Sequence, residues 1–218
     1  MQYVYLHGFA SSPASSKAVY LAERLAGTGS VLHLPDLNEP DFSTLTVSRV
    51  IAQVSALVAE LPPDPVTLFG SSLGAFAALH AAERQCGGDS RPISRLVLLA
   101  PAFDFGRAAI GELGAEGMAR WRETGWWELT HYASGATTRV HYELYADAAR
   151  YNSFAARRRI STLVLQGDRD EIVDAAMVAR WAERRPHVRL VRLDDDHQLA
   201  ASHERIWWET ARFLDLPA

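Results

Sequence analysis

Val66-Thr67-Leu68-Phe69-Gly70-Ser71-Ser72-Leu73-Gly74-Ala75-Phe76-Ala77-Ala78-Leu79-His80 reads as a short apolar strand, a Gly-Ser-Ser-Leu-Gly turn and the start of an Ala-rich helix. Gly70-x-Ser72-x-Gly74 fits the G-x-S-x-G elbow, a tight strand-to-helix turn that holds a serine in a strained backbone conformation. Such a turn brings the residues two before and two after the serine close together. Both must be small, and both are glycine. Ala75 keeps the helix start slim. The Ser72 hydroxyl then stands clear of the backbone, and the N–H of Leu73 is free to face a developing oxyanion. The helix N-terminus behind it adds a field that favours negative charge.

Working outward, the flanking segments repeat a strand–helix rhythm. Val4-Tyr5-Leu6 reads as a buried strand running into His7-Gly8-Phe9, followed by a polar loop and a helix that Ser15 or Ser16 caps and Gly27 ends. A second strand is expected over Val31–Leu34. Helical spacing then runs from Leu45 to Leu61 and stops at Pro62, Pro63 and Pro65. The helix after the elbow runs to about Gln85, with Gly87-Gly88 as its stop. Arg95–Ala100 is the most apolar strand, as expected of one buried on both faces. Ser161–Gln166 is another buried strand. A helix is expected from about Asp174 to Arg184, an edge strand over Val188–Leu193 and a last helix from about His203 to Leu214. This alternation predicts an α/β fold: a doubly wound, mainly parallel sheet of about six strands with helices on both faces. Between Phe103 and about Arg159 the rhythm breaks. Glycines and aromatics are dense there and no strong strand stands out, so the expectation is a small helical lid over one end of the sheet.

Bulk properties fit this picture. A chain of 218 residues is most simply one domain, 1–218, able to bury a full core. Net charge is −4, and Lys17 is the only lysine. No basic stripe suggests nucleic acid; Arg157-Arg158-Arg159 reads as a solvated turn. The single cysteine, Cys86, precludes an internal disulfide and a cysteine-based zinc site, which suits a reducing compartment. Met1–His7 lacks the features of a signal peptide, and no run approaches the ~18 apolar residues of a membrane helix. The expectation is a cytoplasmic protein that contacts neither membrane nor nucleic acid. No H-x-H or H-E-x-x-H spacing points to a metalloenzyme.

Active groups on open parallel sheets lie beyond the carboxyl ends of the strands. His7-Gly8-Phe9, Ser72, Ala100-Pro101-Ala102, Asp170 and His197 all fall on loops at that edge. A serine hydroxyl needs a base within reach, and the base needs an orienting carboxylate. Of eight histidines, His197 follows the last strand directly and is the expected base. His203 is the rival, His7 reads as a loop brace, and His80 and His187 take ordinary helix and strand-edge positions. Asp170 is the expected acid, Asp168 the runner-up, and Asp174 a helix N-cap. The neighbouring Asp194–Asp196 run is not thereby placed on the far ring nitrogen. Acyl transfer also needs two oxyanion donors, for which the N–H groups of Leu73 and Phe9 are chosen, with Ala10 second. Phe103, Phe105, Trp126 and Trp127 are candidates for the substrate pocket, while Trp207-Trp208 reads as helix packing.

Tyr5-Leu6-His7-Gly8-Phe9-Ala10-Ser11-Ser12-Pro13 with Ser16-Lys17, the Gly70–Gly74 turn, Gly167-Asp168-Arg169-Asp170 and Asp196-His197-Gln198 together resemble the small YqiA-like esterases of the α/β-hydrolase superfamily. These motifs span nearly the whole chain, and the order Ser…Asp…His is the superfamily's own. The resemblance implies a Ser72–His197–Asp170 triad that hydrolyses a small-molecule carboxylic ester or thioester with no cofactor. Two features depart from the pattern. Asp195 stands where a glycine often precedes the Asp-His pair, and segment 103–159 is rich in aromatics. A lyase, or a binding protein without catalysis, uses the same fold in other cases.

Overall fold

The computed structural model describes residues 1–85, 92–132 and 135–217. Cys86 and the Gly87-Gly88 helix stop lie outside the described residues. Six strands form one sheet: β1 (Gln2–Leu6), β2 (Leu32–His33), β3 (Val66–Ser71), β4 (Ile93–Leu99), β7 (Ser161–Gly167) and β8 (Val188–Leu193). Their spatial order is β2-β1-β3-β4-β7-β8, and every pairing is parallel.

Both faces of the sheet are covered, because alternate side chains of each strand point to opposite faces. Val4, Leu6, Leu68, Leu96 and Leu98 pack with α2 (Val47–Glu60), α3 (Leu73–Arg84) and α6 (Ala175–Glu183). Tyr3, Tyr5, Phe69, Val97 and Leu99 pack with α1 (Ser16–Ala26) and α7 (His203–Leu214). Each fully buried Leu or Val contributes about 1.5–3 kcal/mol. The central strand β3 is buried at all six positions, so even Thr67 and Ser71 are enclosed and the strand has no solvent-facing side. Edge strand β8 carries Arg189 and Arg192, which pair with Glu209 of α7 and with Asp168. Of the two tryptophans of α7, Trp207 packs in the core, whereas Trp208 is exposed beneath Arg205 and Arg212.

Asp174 caps α6 as expected, accepting from the Ala176 N–H. Ser15 stands at the N-cap position of α1 but makes no side-chain capping bond, and Thr46 caps α2 by accepting from the Arg49 N–H.

Segment 103–159 differs from the expected helical excursion. It holds α4 (Gly114–Thr124), α5 (Glu143–Ala148) and an antiparallel hairpin of β5 (Trp126–Thr130) and β6 (Thr137–His141). The hairpin leaves one face exposed, so its apolar residues alternate with polar ones and form no apolar run. Trp127, Leu129 and Val140 share the inner face. Val140 is buried, and its carbonyl accepts from the Trp121 indole of α4 at 3.0 Å.

Candidate active site

The turn after β3 gives Ser72 φ 52° and ψ −114°. A side-chain-bearing residue at such angles carries strain of order 1–3 kcal/mol, and the surroundings must impose it. They do so through close approach. A Cβ on Gly70 would lie 2.6 Å from the Gly74 carbonyl oxygen and from Ala75 Cα. A Cβ on Gly74 would collide with the Leu6 carbonyl and lie 2.5 Å from that of His7. The elbow is therefore pressed against the end of β1. Replacing Gly74 by Ala is expected to cost about 3 kcal/mol or more, because backbone and not side chain must yield. Thermal unfolding of Gly74→Ala should show a midpoint roughly 6–12 °C lower; an unchanged midpoint would rule out this contact.

Ser72 opens α3 with its backbone carbonyl, which accepts from Ala75 and Phe76 N–H groups at 3.1 Å. Its hydroxyl makes no capping bond and lines a cavity of about 880 Å³. Leu73 N–H is the first of the helix, where no carbonyl one turn back is available to it.

Asp170 and His197 meet across the loops after β7 and β8. The His197 Nδ1 lies 2.9 Å from Asp170 Oδ2 and 3.1 Å from Oδ1. The carboxylate is fully buried and also accepts from Ile172 and Val173 N–H groups and from Gln166 Nε2, at 2.8–2.9 Å. Burial pushes its pKa up, but the hydrogen bonds and the charge of His197 outweigh this and hold it below the usual carboxylate value. Gly167 allows the approach of the two loops: a Cβ there would lie 2.5 Å from the Asp195 carbonyl oxygen and 2.6 Å from that of Asp196. The other acids are engaged elsewhere. Asp168 pairs with Arg192 and Asp194 with Arg169. Asp195 and Asp196 accept from the N–H groups of Asp196 and Gln198 at 2.8 Å. His203, the rival base, stacks on Tyr20 at the start of α7, and His80 bonds Ser153 from inside α3.

His7 is the brace of its loop. Burial holds its pKa below the ordinary value, favouring a neutral ring. Nε2 accepts from the Leu37 N–H at 3.0 Å, so the network assigns the proton to Nδ1, which donates to the Gly8 carbonyl at 2.9 Å. That bond turns the Gly8 carbonyl toward the ring. The N–H of a trans peptide points opposite to its carbonyl, so the Phe9 N–H is turned away from His7. Ala10 is fully buried with φ 51° and does not reach the cavity, whereas Gly8 and Phe9 line it.

Ser72, Leu73, Phe9, Asp170 and His197 thus border one cavity. Two of the expected pocket residues are placed otherwise. Phe103 is 1% exposed and stacks on Trp181 at 4.0 Å between ring centres, inside the core. Trp126 and Trp127 are neighbours on a strand and so face opposite ways. Trp127 lines the cavity and stacks on Phe9 at 5.6 Å, while Trp126 faces outward beneath Arg139. Phe105 does line the cavity, as do Leu129 and Ile110. The signal for Leu129 was present as the two-residue period from Trp127. Among the described residues no group of three or more His, Cys, Asp or Glu side chains is arranged to hold a metal ion.

Several solved structures share this architecture. A candidate hydrolase from Agrobacterium vitis S4 is 24% identical, with 97% of this chain and 87% of that one covered and a TM-score of 0.83. Mouse alpha/beta hydrolase domain-containing protein 10 is 22% identical over 98% of this chain and 89% of its own, with a TM-score of 0.80. The Paleococcus ferrophilus monoacylglycerol lipase is 18% identical over 98% and 93%, with a TM-score of 0.79. The fold is therefore the α/β-hydrolase fold. No curated protein matches the sequence. Residues 2–214 match the Uncharacterised protein family (UPF0227), and the chain belongs to that family.

Proposed function

We propose that the chain is a serine hydrolase that cleaves carboxylic esters through an acyl-enzyme on Ser72. The observation that carries this reading is the buried Asp170–His197 pair, bordering the same cavity as a serine held at φ 52°. Asp170 at Nδ1 keeps the ring proton there and leaves Nε2 as the base. His197 takes the Ser72 proton as Oγ attacks the ester carbonyl, then delivers it to the departing alcohol. Water attacks the acyl-enzyme by the same route and releases the acid. The N–H groups of Leu73 and Phe9 receive the oxyanion, each contributing up to about 3 kcal/mol.

Segment 103–159 serves as the lid and supplies the acyl wall through Trp127, Leu129, Phe105 and Ile110. Asp104, Glu112, Glu171 and Asp174 also line the cavity, and Lys17 is the only cation among the lining residues. Such a field suits an uncharged ester better than a thioester of a phosphorylated carrier. Monoacylglycerol lipase, the name of one structural relative, points to acyl-ester chemistry as well.

A panel of p-nitrophenyl acetate, butyrate, octanoate and hemisuccinate tests the reading. The neutral esters should turn over, and the anionic hemisuccinate at least roughly tenfold more slowly than butyrate. Failure to cleave any ester would overturn the proposal.

A further inference from the structure

Lys17 lies in the first turn of α1 and is 7% exposed. Among the described residues no carboxylate forms an ion pair with it. Its Nζ instead donates to the Gln198 carbonyl at 2.7 Å, with the His197 carbonyl at 3.5 Å. Buried ammonium groups are costly, and an apolar side chain of similar volume often serves packing equally well. The chain nevertheless places its only lysine here, on main-chain acceptors 180 and 181 residues away.

Those acceptors belong to the loop that carries the imidazole. The ring of His197 is held by Asp170, but a ring is only as well placed as its own Cα. The loop's own bonds engage its flanks: Asp195 accepts from the Asp196 N–H, the Asp196 side chain and carbonyl accept from the Gln198 and Leu199 N–H groups, and Leu199 takes a left-handed turn with φ 54°. Lys17 ties the backbone of this loop to α1, and the ring and the backbone are thus fixed from two sides.

We infer that Lys17 is a positioning residue, clamping the His197–Gln198 backbone so that the Asp170-held ring faces Ser72. The clamp is a property of the loop; its effect on rate rests on the serine-hydrolase reading. The charged and titratable groups around the ammonium are Asp170 from the loop after β7, Asp195, Asp196 and His197 from the loop after β8, and His203 from α7. Burial draws the Lys17 pKa from 10.5 to about 8, against the attraction of the three aspartates. Below that pH the bonds to the carbonyls are charge-assisted, and they weaken as pH rises through it. The folded pKa is below the unfolded one, so folding disfavours the cation, and that cost shrinks as pH rises above about 8. Loosening of the loop in this range is therefore not a sign of global unfolding.

The test pairs amide hydrogen exchange over residues 195–202 with p-nitrophenyl acetate turnover, for wild type, Lys17→Met and Lys17→Arg. Lys17→Met should exchange faster across this loop and lose about 10²-fold in kcat, with KM within about twofold. Lys17→Arg should keep most of the rate and lack the wild-type decline above pH 8. Unchanged loop exchange and unchanged kcat in Lys17→Met would overturn the clamp while leaving the hydrolase reading intact. Faster loop exchange in a protein whose wild type cleaves no ester would support the clamp and overturn the hydrolase reading. Should Lys17→Met not fold, the pH profiles decide: identical profiles for wild type and Lys17→Arg would overturn the clamp.

Discussion

Replacing Ser72 by Ala is expected to lower kcat for p-nitrophenyl esters by roughly 10⁴-fold or more, with KM and the unfolding midpoint little changed. The size of the effect follows from the proposed acyl-enzyme route: without Oγ that intermediate cannot form, and only the proposed oxyanion donors and binding remain. The neutrality of folding follows from the structure. The hydroxyl caps no helix, and the strain at φ 52° is common to Ser and Ala. The bonds that close the turn, from Ala75 and Phe76 N–H to the Ser72 carbonyl, are main-chain and survive the substitution. Steady-state kinetics alongside a thermal melt separates loss of chemistry from loss of fold.

Asp170→Asn should be nearly as damaging, again on the order of 10⁴-fold in kcat. Every partner of the carboxylate is a donor: Ile172 and Val173 N–H groups on Oδ1, Gln166 Nε2 on Oδ2, and His197 Nδ1 between them. An amide in this place keeps one acceptor and turns its NH₂ toward a donor. With the retained oxygen on the backbone N–H groups, the NH₂ faces His197. The imidazole then keeps its lone pair on Nδ1 and its proton on Nε2, the wrong tautomer for a base. The carboxylate also links the site to acid stability. Its folded pKa is held below the ordinary value of 3.8. Its contribution is therefore complete above that value and lost as pH falls from it through the lowered folded pKa. Unfolding midpoints at neutral and strongly acidic pH should differ less for Asp170→Asn than for wild type. Equal acid sensitivity would mean that the pair contributes nothing to stability.

How much of this was legible in the sequence depends on which atoms make each contact. The elbow was readable because steric exclusion at Gly70 and Gly74 leaves a residue-level signature. The limits of β8 and α7 followed from a clean period switch between Leu193 and His203. Asp170 over Asp168 was readable from loop position alone, and the pairing of Asp168 with Arg192 supplies the physical reason. The hairpin in 103–159 was missed because five-residue strands with one exposed face offer only two or three inward side chains each. Taking the segment as helical hid the strand alternation that separates Trp127 from Trp126. Phe103 was misplaced for a different reason: an aromatic residue beside a sheet edge has the same composition whether it lines a cavity or stacks on Trp181. Lys17 was visible as a residue but not as a clamp, since backbone carbonyl acceptors carry no sequence signal.

The most direct test of the central claim is covalent labelling of the folded protein with a fluorophosphonate, followed by intact mass and peptide mapping. One adduct is expected, on the peptide carrying Ser72, and none on Ser72→Ala. A folded wild-type protein that takes no adduct, or takes it on another residue, would contradict the assignment of Ser72 as nucleophile.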